Sequence, residues 1–317
     1  APIAQPPTVT GISPLTTLSS GGALVGWDAG TKIQASDKQA TDYFGNSVSM
    51  SSDGTKVIVG ARREDTGGSD AGAAYIYTYS SGSWDTGMKI QASDIQAADN
   101  FGMSVSMSGD GTRVIAGAPS EGTGGTNAGA AYIFALSGGS WSQEAKIQAS
   151  DKQTQDNFGF RVSMSSDGTK VIVGAHYEDT GGAEAGSAYI FAYSSGSWSQ
   201  EAKIQASDAQ ATDNFGIDVS MSGDGTKVLV GARYEDTGGS DAGAAYIFVY
   251  SSGSWSQEAK IQASDAQATD YFGYSVSMNS DGTKVLVGAY KEDTGGSAAG
   301  AAYIFAYSSG SWSQEAK

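Results

Sequence analysis

Apolar residues occur in short runs along the chain, and clusters of glycine, serine and aspartate separate these runs. From Tyr43 to Ala61, in the segment YFGNSVSMSSDGTKVIVGA, apolar and polar side chains alternate before an Asp-Gly pair, and a short apolar run, Val57 to Val59, follows it. Alternation with a period of two predicts β-strands, and an Asp-Gly pair between two strand-like runs predicts a tight hairpin turn. No stretch of ten residues has helical spacing, so the pattern predicts an all-β protein.

This segment recurs along almost the whole chain. Further copies begin at Asn100, Asn157, Asn214 and Tyr271, with a constant spacing of 57 residues and no insertion or deletion. Five copies of one unit predict a repeat architecture, so the fold follows from the unit. The predicted units span about 32–88, 89–145, 146–202, 203–259 and 260–317, within a domain over 27–317 that follows an extension over 1–26.

One unit divides into four predicted strands. Val48 to Met50 belongs to the first, and the others cover Lys56–Ala61, Ala73–Tyr79 and Trp84–Ser93. Four short antiparallel strands in every unit are typical of a propeller blade. The sequence therefore predicts a five-bladed β-propeller of four-stranded antiparallel blades.

Both ends of the repeat array contain a candidate for the same strand. Residues 27–36 match the fourth strand of a unit, and so does the segment from Trp312 to Lys317. Either segment could complete the last blade, and five units could close into a ring or belong to a longer array. The uncharged segment 1–27 is either a linker or a strand donated to another subunit. Donation would make the protein a structural subunit of a surface fibre or coat.

Two short motifs carry a resemblance to a known family. The second unit contains Phe101-Gly102 and then Gly117-Ala118-Pro119, and this order resembles the FG-GAP repeat of integrin α-chain propellers and of related surface proteins. The other units replace the proline, by Arg62, His176, Arg233 and Tyr290. The resemblance implies a β-propeller at a cell or virion surface or outside the cell, where it mediates adhesion or binds a ligand.

Many members of that family bind calcium in an aspartate-rich loop between the first two strands of a unit. In this chain the loop from Ser51 to Lys56 keeps only the Asp-Gly pair and contains a lysine. Since Ca²⁺ requires about six to eight oxygen ligands, several of them carboxylates, this loop is better explained as a plain turn.

The charge balance excludes some classes of partner. The formal net charge is −16, and phosphate contacts require clustered lysine and arginine, so we expect no nucleic-acid binding. No apolar run approaches the ~20 residues of a membrane helix, so we expect no membrane insertion. Cysteine is absent, which excludes thiolate metal sites and disulfides.

The carboxylates collect in two loops of each unit, which strand reversal places on one rim of the propeller. In the first unit they are Asp37, Asp42, Glu64, Asp65 and Asp70. They form either a solvated surface that keeps the protein soluble or, between neighbouring loops, a site for a divalent cation such as Ca²⁺. We predict no other cofactor.

The copies differ most at two spots on the same rim, directly after Phe-Gly and after Gly-Ala. The residues that we predict as candidate ligand-binding positions are Asn46, Arg62, Arg63, Met103, Phe160, His176, Tyr177, Ile217, Arg233, Tyr234, Tyr274, Tyr290 and Lys291. Tyrosine and arginine are enriched at binding hot spots. The differences therefore indicate a composite pocket for a protein or glycan ligand, or else drift at tolerant exposed positions. Self-association is a further possible mode of binding.

Enzyme signals are weak in this sequence. His176 is the only histidine, and there is no nucleophile elbow, phosphate loop or zinc motif. The carboxylate pairs repeat in every unit, whereas catalysis requires one asymmetric constellation. We therefore predict a non-catalytic protein. The recurring aromatics of the Phe44, Trp84 and Tyr75–Tyr79 types are predicted core, and Arg161 and Asp218 are predicted to pair across a blade boundary.

Overall fold

The computed structural model describes residues 31–317, of which Gln34–Lys317 form one compact unit. The extension over 1–26, and with it the predicted donated strand, lies outside the described residues. Among residues 31–317 there are strands and turns but no helix, and hence no helix that could cross a membrane. The all-β prediction is confirmed.

The strands group into five antiparallel sheets, one for each repeat, which we call blades one to five. Blade one contains β1 (Phe44–Met50), β2 (Lys56–Ala61), β3 (Ala73–Ser80), β4 (Ser83–Trp84) and β5 (Met88–Ile90). Blade two contains β6 (Val105–Met107), β7 (Arg113–Ala118), β8 (Ala130–Ser137) and β9 (Ser140–Ile147). Blade three contains β10 (Arg161–Met164), β11 (Lys170–Ala175), β12 (Ser187–Ser194) and β13 (Ser197–Ile204). Blade four contains β14 (Phe215–Met221), β15 (Lys227–Ala232), β16 (Ala244–Ser251) and β17 (Ser254–Ile261). Blade five contains β18 (Phe272–Met278), β19 (Lys284–Ala289), β20 (Ala301–Ser308) and β21 (Ser311–Ala316).

The predicted strands agree with these bounds, apart from the fourth strand of blade one. It ends at Ile90 rather than Ser93, and β4 and β5 are separate segments because Gly87 between them has a φ of 78°. The other blades have Ser-Gln-Glu at this place, where blade one has Asp-Thr-Gly, and their fourth strands are continuous.

The Asp-Gly hairpins form as the sequence predicts. In blade one the Asp53 carboxylate accepts hydrogen bonds from the Ser51 hydroxyl at 2.7 Å and from the Thr55 amide at 2.9 Å. Gly54 has a φ of 71°, which an L side chain would oppose. Since the turn residues already occupy the Asp53 carboxylate, this loop does not fit a calcium ion.

The Phe-Gly and Gly-Ala motifs form the junction between neighbouring blades. A parallel bridge joins Gly72 to Phe101 of the next blade, and the Phe101 amide donates to the Ala71 carbonyl at 2.9 Å. A Cβ at Gly60 would overlap the carbonyl oxygen of Gly102, so both motifs need glycine for this close approach. The same contact recurs at all four junctions between the five blades.

The core lies between blades. Phe101, Phe158, Phe215 and Phe272 are fully buried, and Phe158 packs edge-on against Tyr189 with the ring centroids 5.5 Å apart. The core prediction is thus confirmed for these phenylalanines, for Tyr77, and for Tyr75 and its equivalents in the other blades. It is wrong for Tyr79, which is 44% exposed at the hairpin end of its strand, and Phe44 is only half-buried. The recurring tryptophans are only half-buried, because they lie near the exposed hairpin between the third and fourth strands.

The C-terminal segment supplies the fourth strand of blade five. β21 (Ser311–Ala316) pairs with β20, and Tyr307 lies opposite Trp312. Residues 31–36, the described part of the competing N-terminal segment, form no strand.

Candidate functional site

Each blade places a lysine between two of the predicted rim carboxylates. In blade one, Lys89 Nζ lies 2.9 Å from Asp37 Oδ2 and 2.7 Å from Glu64 Oε1. Glu64 is fully buried, and its second oxygen accepts a hydrogen bond from Gln91 at 3.1 Å. Lys146, Lys203, Lys260 and Lys317 occupy the same position in the other blades. The rim is therefore less acidic than the count of its carboxylates indicates.

The lysine also changes the titration of these acids. Burial raises the pKa of Asp151, but the hydrogen bonds from Lys203 and the Tyr189 hydroxyl outweigh it and hold the pKa below its usual range. Lys203 Nζ donates to Asp151 at 2.7 Å, and the Tyr189 hydroxyl donates at 2.9 Å. This arrangement is a closed structural network rather than an open ligand site.

The remaining rim acids of blade one also have partners. Asp42 is buried and accepts a hydrogen bond from the Gln39 amide at 2.6 Å, while Asp65 accepts one from the Asp70 amide at 2.8 Å. Asp70 lies 3.8 Å from Arg63 Nε. Within residues 31–317 no group of three or more histidine, aspartate or glutamate side chains is placed to hold a metal ion. The donor set at the rim does not fit Ca²⁺.

Two rim acids in the central blades have strongly perturbed titration. Burial raises the pKa of Asp156 to about 6, and the charge of Glu178 adds to the increase. Burial likewise raises the pKa of Asp213 to about 6, with a contribution from Glu235. These carboxyls cap turns, since each accepts a hydrogen bond from the amide three residues before it.

The variable positions of blades three to five converge on one surface. We call it the aromatic–cationic surface and define it as Phe160, His176, Tyr177, Arg233, Tyr234, Tyr271, Tyr274, Tyr290 and Lys291. The Phe160 and His176 rings are 4.3 Å apart, and the Tyr274 and Tyr290 rings are 4.5 Å apart. Arg233 connects the two groups, because its charge acts on His176 and its guanidinium carbon lies 5.9 Å from the Tyr274 ring.

Cations and aromatic rings alternate across this surface. The Arg233 guanidinium carbon lies 4.4 Å from the Tyr234 ring centroid, and Lys291 Nζ lies 4.5 Å from that of Tyr271. Tyr271 also packs edge-on against Tyr234 at 5.2 Å. Tyr274 and Tyr290 are exposed at 40% and 45%, so their rings are accessible to a ligand.

His176 is the buried member of the aromatic–cationic surface. It is 2% exposed, and burial lowers its pKa to about 3, with further lowering by the charges of Arg233 and Arg161. The ring is therefore neutral at physiological pH. Arg161 Nε lies 3.6 Å from Asp218 Oδ1, so the predicted ion pair across the boundary between blades three and four is confirmed.

The other candidate positions do not join the aromatic–cationic surface. Ile217 is buried at 3% exposure and Met103 is half-buried. Asn46 is occupied at the junction of blades one and two, where its amide donates to the Met103 carbonyl at 2.8 Å. Arg62 and Arg63 lie over the Tyr43 ring at 5.2 and 5.0 Å and form a separate, smaller cluster.

Sequence reasoning missed two of the aromatic residues. Tyr43 and Tyr271 directly precede Phe-Gly, at a position where the other three units have asparagine. That difference between copies is the signal that could have identified them. The lysine of each carboxylate network was missed although Lys-Ile-Gln-Ala-Ser-Asp recurs at a fixed place.

Five four-stranded blades with this junction define the class of the protein as a repeat-built β-propeller. The chain belongs to the FG-GAP repeat family, whose sequence model matches residues 27–77, 84–134, 141–191, 198–248 and 255–305. No curated protein matches the chain in sequence.

Two solved structures share the propeller fold. Hydrazine synthase of Kuenenia stuttgartiensis has a TM-score of 0.53 and 13% identity, over 92% of this chain and 70% of its own. The periplasmic gluconolactonase PpgL of Pseudomonas aeruginosa has a TM-score of 0.54 and 15% identity, over 85% of this chain and 70% of its own. At these identities the likeness shows the fold alone.

The prediction that the protein is not an enzyme is wrong. A gluconolactonase has the same propeller fold, so this fold does not exclude catalysis. The prediction failed because it treated repetition of the backbone as repetition of the surface. An asymmetric constellation can form at the loop ends of identical blades, as the aromatic–cationic surface demonstrates.

Proposed function

We propose that the protein is an extracellular or surface-exposed FG-GAP propeller that mediates adhesion by binding a glycan or protein ligand. The aromatic–cationic surface is the contact site. The observation that carries this proposal is the convergence of repeat differences. Units that are otherwise nearly identical differ at Phe160, His176, Arg233, Tyr274 and Tyr290. Phe160 contacts His176, Tyr274 contacts Tyr290, and Arg233 lies near Tyr274 and lowers the pKa of His176 by its charge.

The chemistry of the surface favours a ligand with flat apolar faces and negative charge. Exposed tyrosine rings provide stacking area at low entropic cost, and Arg233 and Lys291 provide donors for carboxylate or sulfate groups. An acidic glycan and an acidic peptide both have this chemistry. The remaining negative charge of the molecule would repel such a ligand elsewhere and so restrict binding to this surface.

Calcium has no part in this proposal, because the rim carboxylates are already bound by lysine, by arginine or by backbone amides. We expect binding to be unchanged when calcium is replaced by a chelator. A shift of the melting temperature with calcium would contradict this expectation and would indicate that the rim carboxylates bind the ion.

Binding to a glycan array and to acidic peptides, followed by titration calorimetry of any hit, tests the proposal. We expect Tyr274→Ala and Arg233→Ala each to weaken binding about tenfold or more, since hot-spot truncations cost about 2 kcal/mol. Tyr43→Ala is the matched control, because Tyr43 is 48% exposed and stacks with Arg62 and Arg63 in the separate cluster of blade one. Equal losses in all three variants, or none, would contradict the site.

A further inference from the structure

Among the described residues 31–317, blades one and five each expose a face whose equivalents are buried at the internal blade junctions. At the junction of blades four and five, Val276 and Met278 pack in one core cluster with Leu229 and Ile247. On blade one the equivalents of the first pair, Val48 and Met50, are 66% and 56% exposed. On blade five the equivalents of the second pair, Leu286 and Ile304, are 45% and 37% exposed.

We name these the head face and the tail face. The head face, on blade one, consists of Phe44, Gly45, Val48, Met50, Tyr79 and Trp84. The tail face, on blade five, consists of Ser275, Ser277, Lys284, Leu286, Gly288, Ile304 and Glu315. The two faces correspond to the two sides of the internal blade junction, which the chain forms four times.

The glycines of the two faces match as well. At the internal junctions a Cβ on Gly174 or Gly231 would overlap the carbonyl oxygen of the Phe-Gly glycine in the next blade. A Cβ on Gly288 would have as its nearest described atoms those of Ser275 in the same blade, at 3.8 Å, and a Cβ on Gly45 would have no described atom within 4 Å. The head face thus carries the Phe-Gly half of a junction contact and the tail face carries the Gly-Ala half, and no described residue of another blade occupies either half.

The polar groups of the junction are also present on the two faces. Between blades three and four, Lys170 Nζ lies 3.9 Å from the Tyr250 ring centroid, and Trp255 Nε1 donates to Glu201 at 2.8 Å. On the tail face, Lys284 and Glu315 occupy the positions of Lys170 and Glu201. They are paired at 2.8 Å, and their side chains are 54% and 44% exposed. On the head face, Tyr79 and Trp84 occupy the positions of Tyr250 and Trp255, with their ring centroids 5.3 Å apart.

Serine hydroxyls form the last set of junction contacts. Ser220 Oγ accepts a hydrogen bond from the Met278 amide of the next blade at 3.0 Å, and Ser106 Oγ accepts one from the Met164 amide at 3.1 Å. On the tail face the equivalent acceptor is the exposed Ser277, and on the head face the equivalent donor is the Met50 amide.

We propose that the tail face binds the head face of a second copy of this chain, which repeats the internal blade junction between molecules. The occupant follows from continuity with an established interface, since the geometry, apolar contacts and polar pairs of four internal junctions are reproduced across the two faces. Such a contact is heterologous, so it generates a head-to-tail array or a ring of several copies rather than a two-fold dimer. It does not depend on the ligand proposal.

Sedimentation of the full chain over a wide concentration range tests this assembly. We expect concentration-dependent oligomers larger than dimers. Val48→Asp blocks the head face and Leu286→Asp blocks the tail face, because each buries a charge in an apolar contact. Each variant alone should be monomeric, whereas a mixture of the two should form one-to-one dimers and nothing larger, through the face that each retains.

Two further variants keep the result unambiguous. Gly288→Ala adds one methyl group that fits the isolated blade, so it should preserve the melting temperature while weakening association at least tenfold, by steric exclusion. Ser195→Asp adds the same charge as the blocking variants on an exposed hairpin of blade three and should leave association unchanged. If either aspartate variant fails to fold, Gly288→Ala carries the test alone.

Three outcomes would overturn the proposal. One is a chain that stays monomeric at every concentration. Another is a two-fold dimer that both single variants still form. The third is association that Gly288→Ala does not weaken.

Discussion

Blade three and blade five have nearly the same sequence but different surroundings, and the contrast shows what a blade junction contributes. Ile172 and Ile190 of blade three are fully buried against blade four, whereas Leu286 and Ile304 at the same positions of blade five are exposed at 45% and 37%. Both blades nevertheless form four antiparallel strands in the same order. Strand pairing within a blade therefore does not require the junction, while burial of the apolar residues depends on it.

The largest expected effect comes from the junction glycines. Gly174→Ala should destabilise the protein by about 4 kcal/mol or more, because its Cβ would overlap a backbone carbonyl of blade four. Gly288→Ala at the same position of blade five should change the free energy of unfolding by less than about 0.5 kcal/mol. Chemical denaturation of both variants measures the difference. Equal losses would mean that the covered and uncovered faces do not differ as described.

The junction phenylalanines give the next effect. Phe158→Ala should cost about 3–5 kcal/mol by leaving a cavity between blades two and three, where the ring is fully buried. Phe44→Ala on the head face should cost less, since that ring is only half-buried. An unchanged melting temperature for Phe158→Ala would show that this ring is not packed inside.

The buried carboxyls of the central blades predict a pH dependence. The pKa of Asp156 and of Asp213 is about 6 in the folded protein, above the value of 3.8 for an unperturbed aspartate. The folded state therefore binds protons more tightly, and stability should increase as pH falls from 7 towards 4, by about 1–2 kcal/mol per carboxyl. Asp156→Asn combined with Asp213→Asn should flatten this slope in denaturation curves measured between pH 5 and 8.

The lysine–carboxylate networks oppose this increase in stability at acid pH. The pKa of Asp151 is lowered in the folded protein, so its contribution is present above the unperturbed value of 3.8 and is lost as pH falls through the folded pKa. Stability should then pass through a maximum and decline in acid. A stability that rises without limit as pH falls would contradict the network.

The smallest effect distinguishes covered and uncovered ion pairs. Lys170 is paired with Glu201 at 3.1 Å and stacked on Tyr250, with its side chain 18% exposed, whereas Lys284 in blade five is 54% exposed. Lys170→Met should cost about 1 kcal/mol, and Lys284→Met close to zero in dilute monomer. Losses of the same size in both would indicate that the cation–π contact adds nothing.

The sequence predicted those parts of the fold that depend on residues close together in the chain. The alternation before Asp53-Gly54 located the hairpin, and the constant spacing of Phe-Gly and Gly-Ala located the blades. The carboxylate networks were missed because Lys89 lies 52 residues from Asp37, and only packing of the blades brings them together. Variation between copies identified Tyr274 and Arg233 as candidates but could not show that Ile217, which varies equally, is buried.

The backbone contact that links the hairpins of successive blades has a consequence for how such a gene can change. The Ser52 amide donates to the Gly109 carbonyl at 2.8 Å, Gly109 donates to Ser166, and the series continues through Gly223 to Ser280. Because each inner member, Gly109, Ser166 and Gly223, both donates and accepts, duplication or loss of one whole unit leaves each remaining contact satisfied. A deletion of one codon within a unit would instead interrupt the series. Recombination between copies can therefore vary the length of the array without breaking this series of contacts.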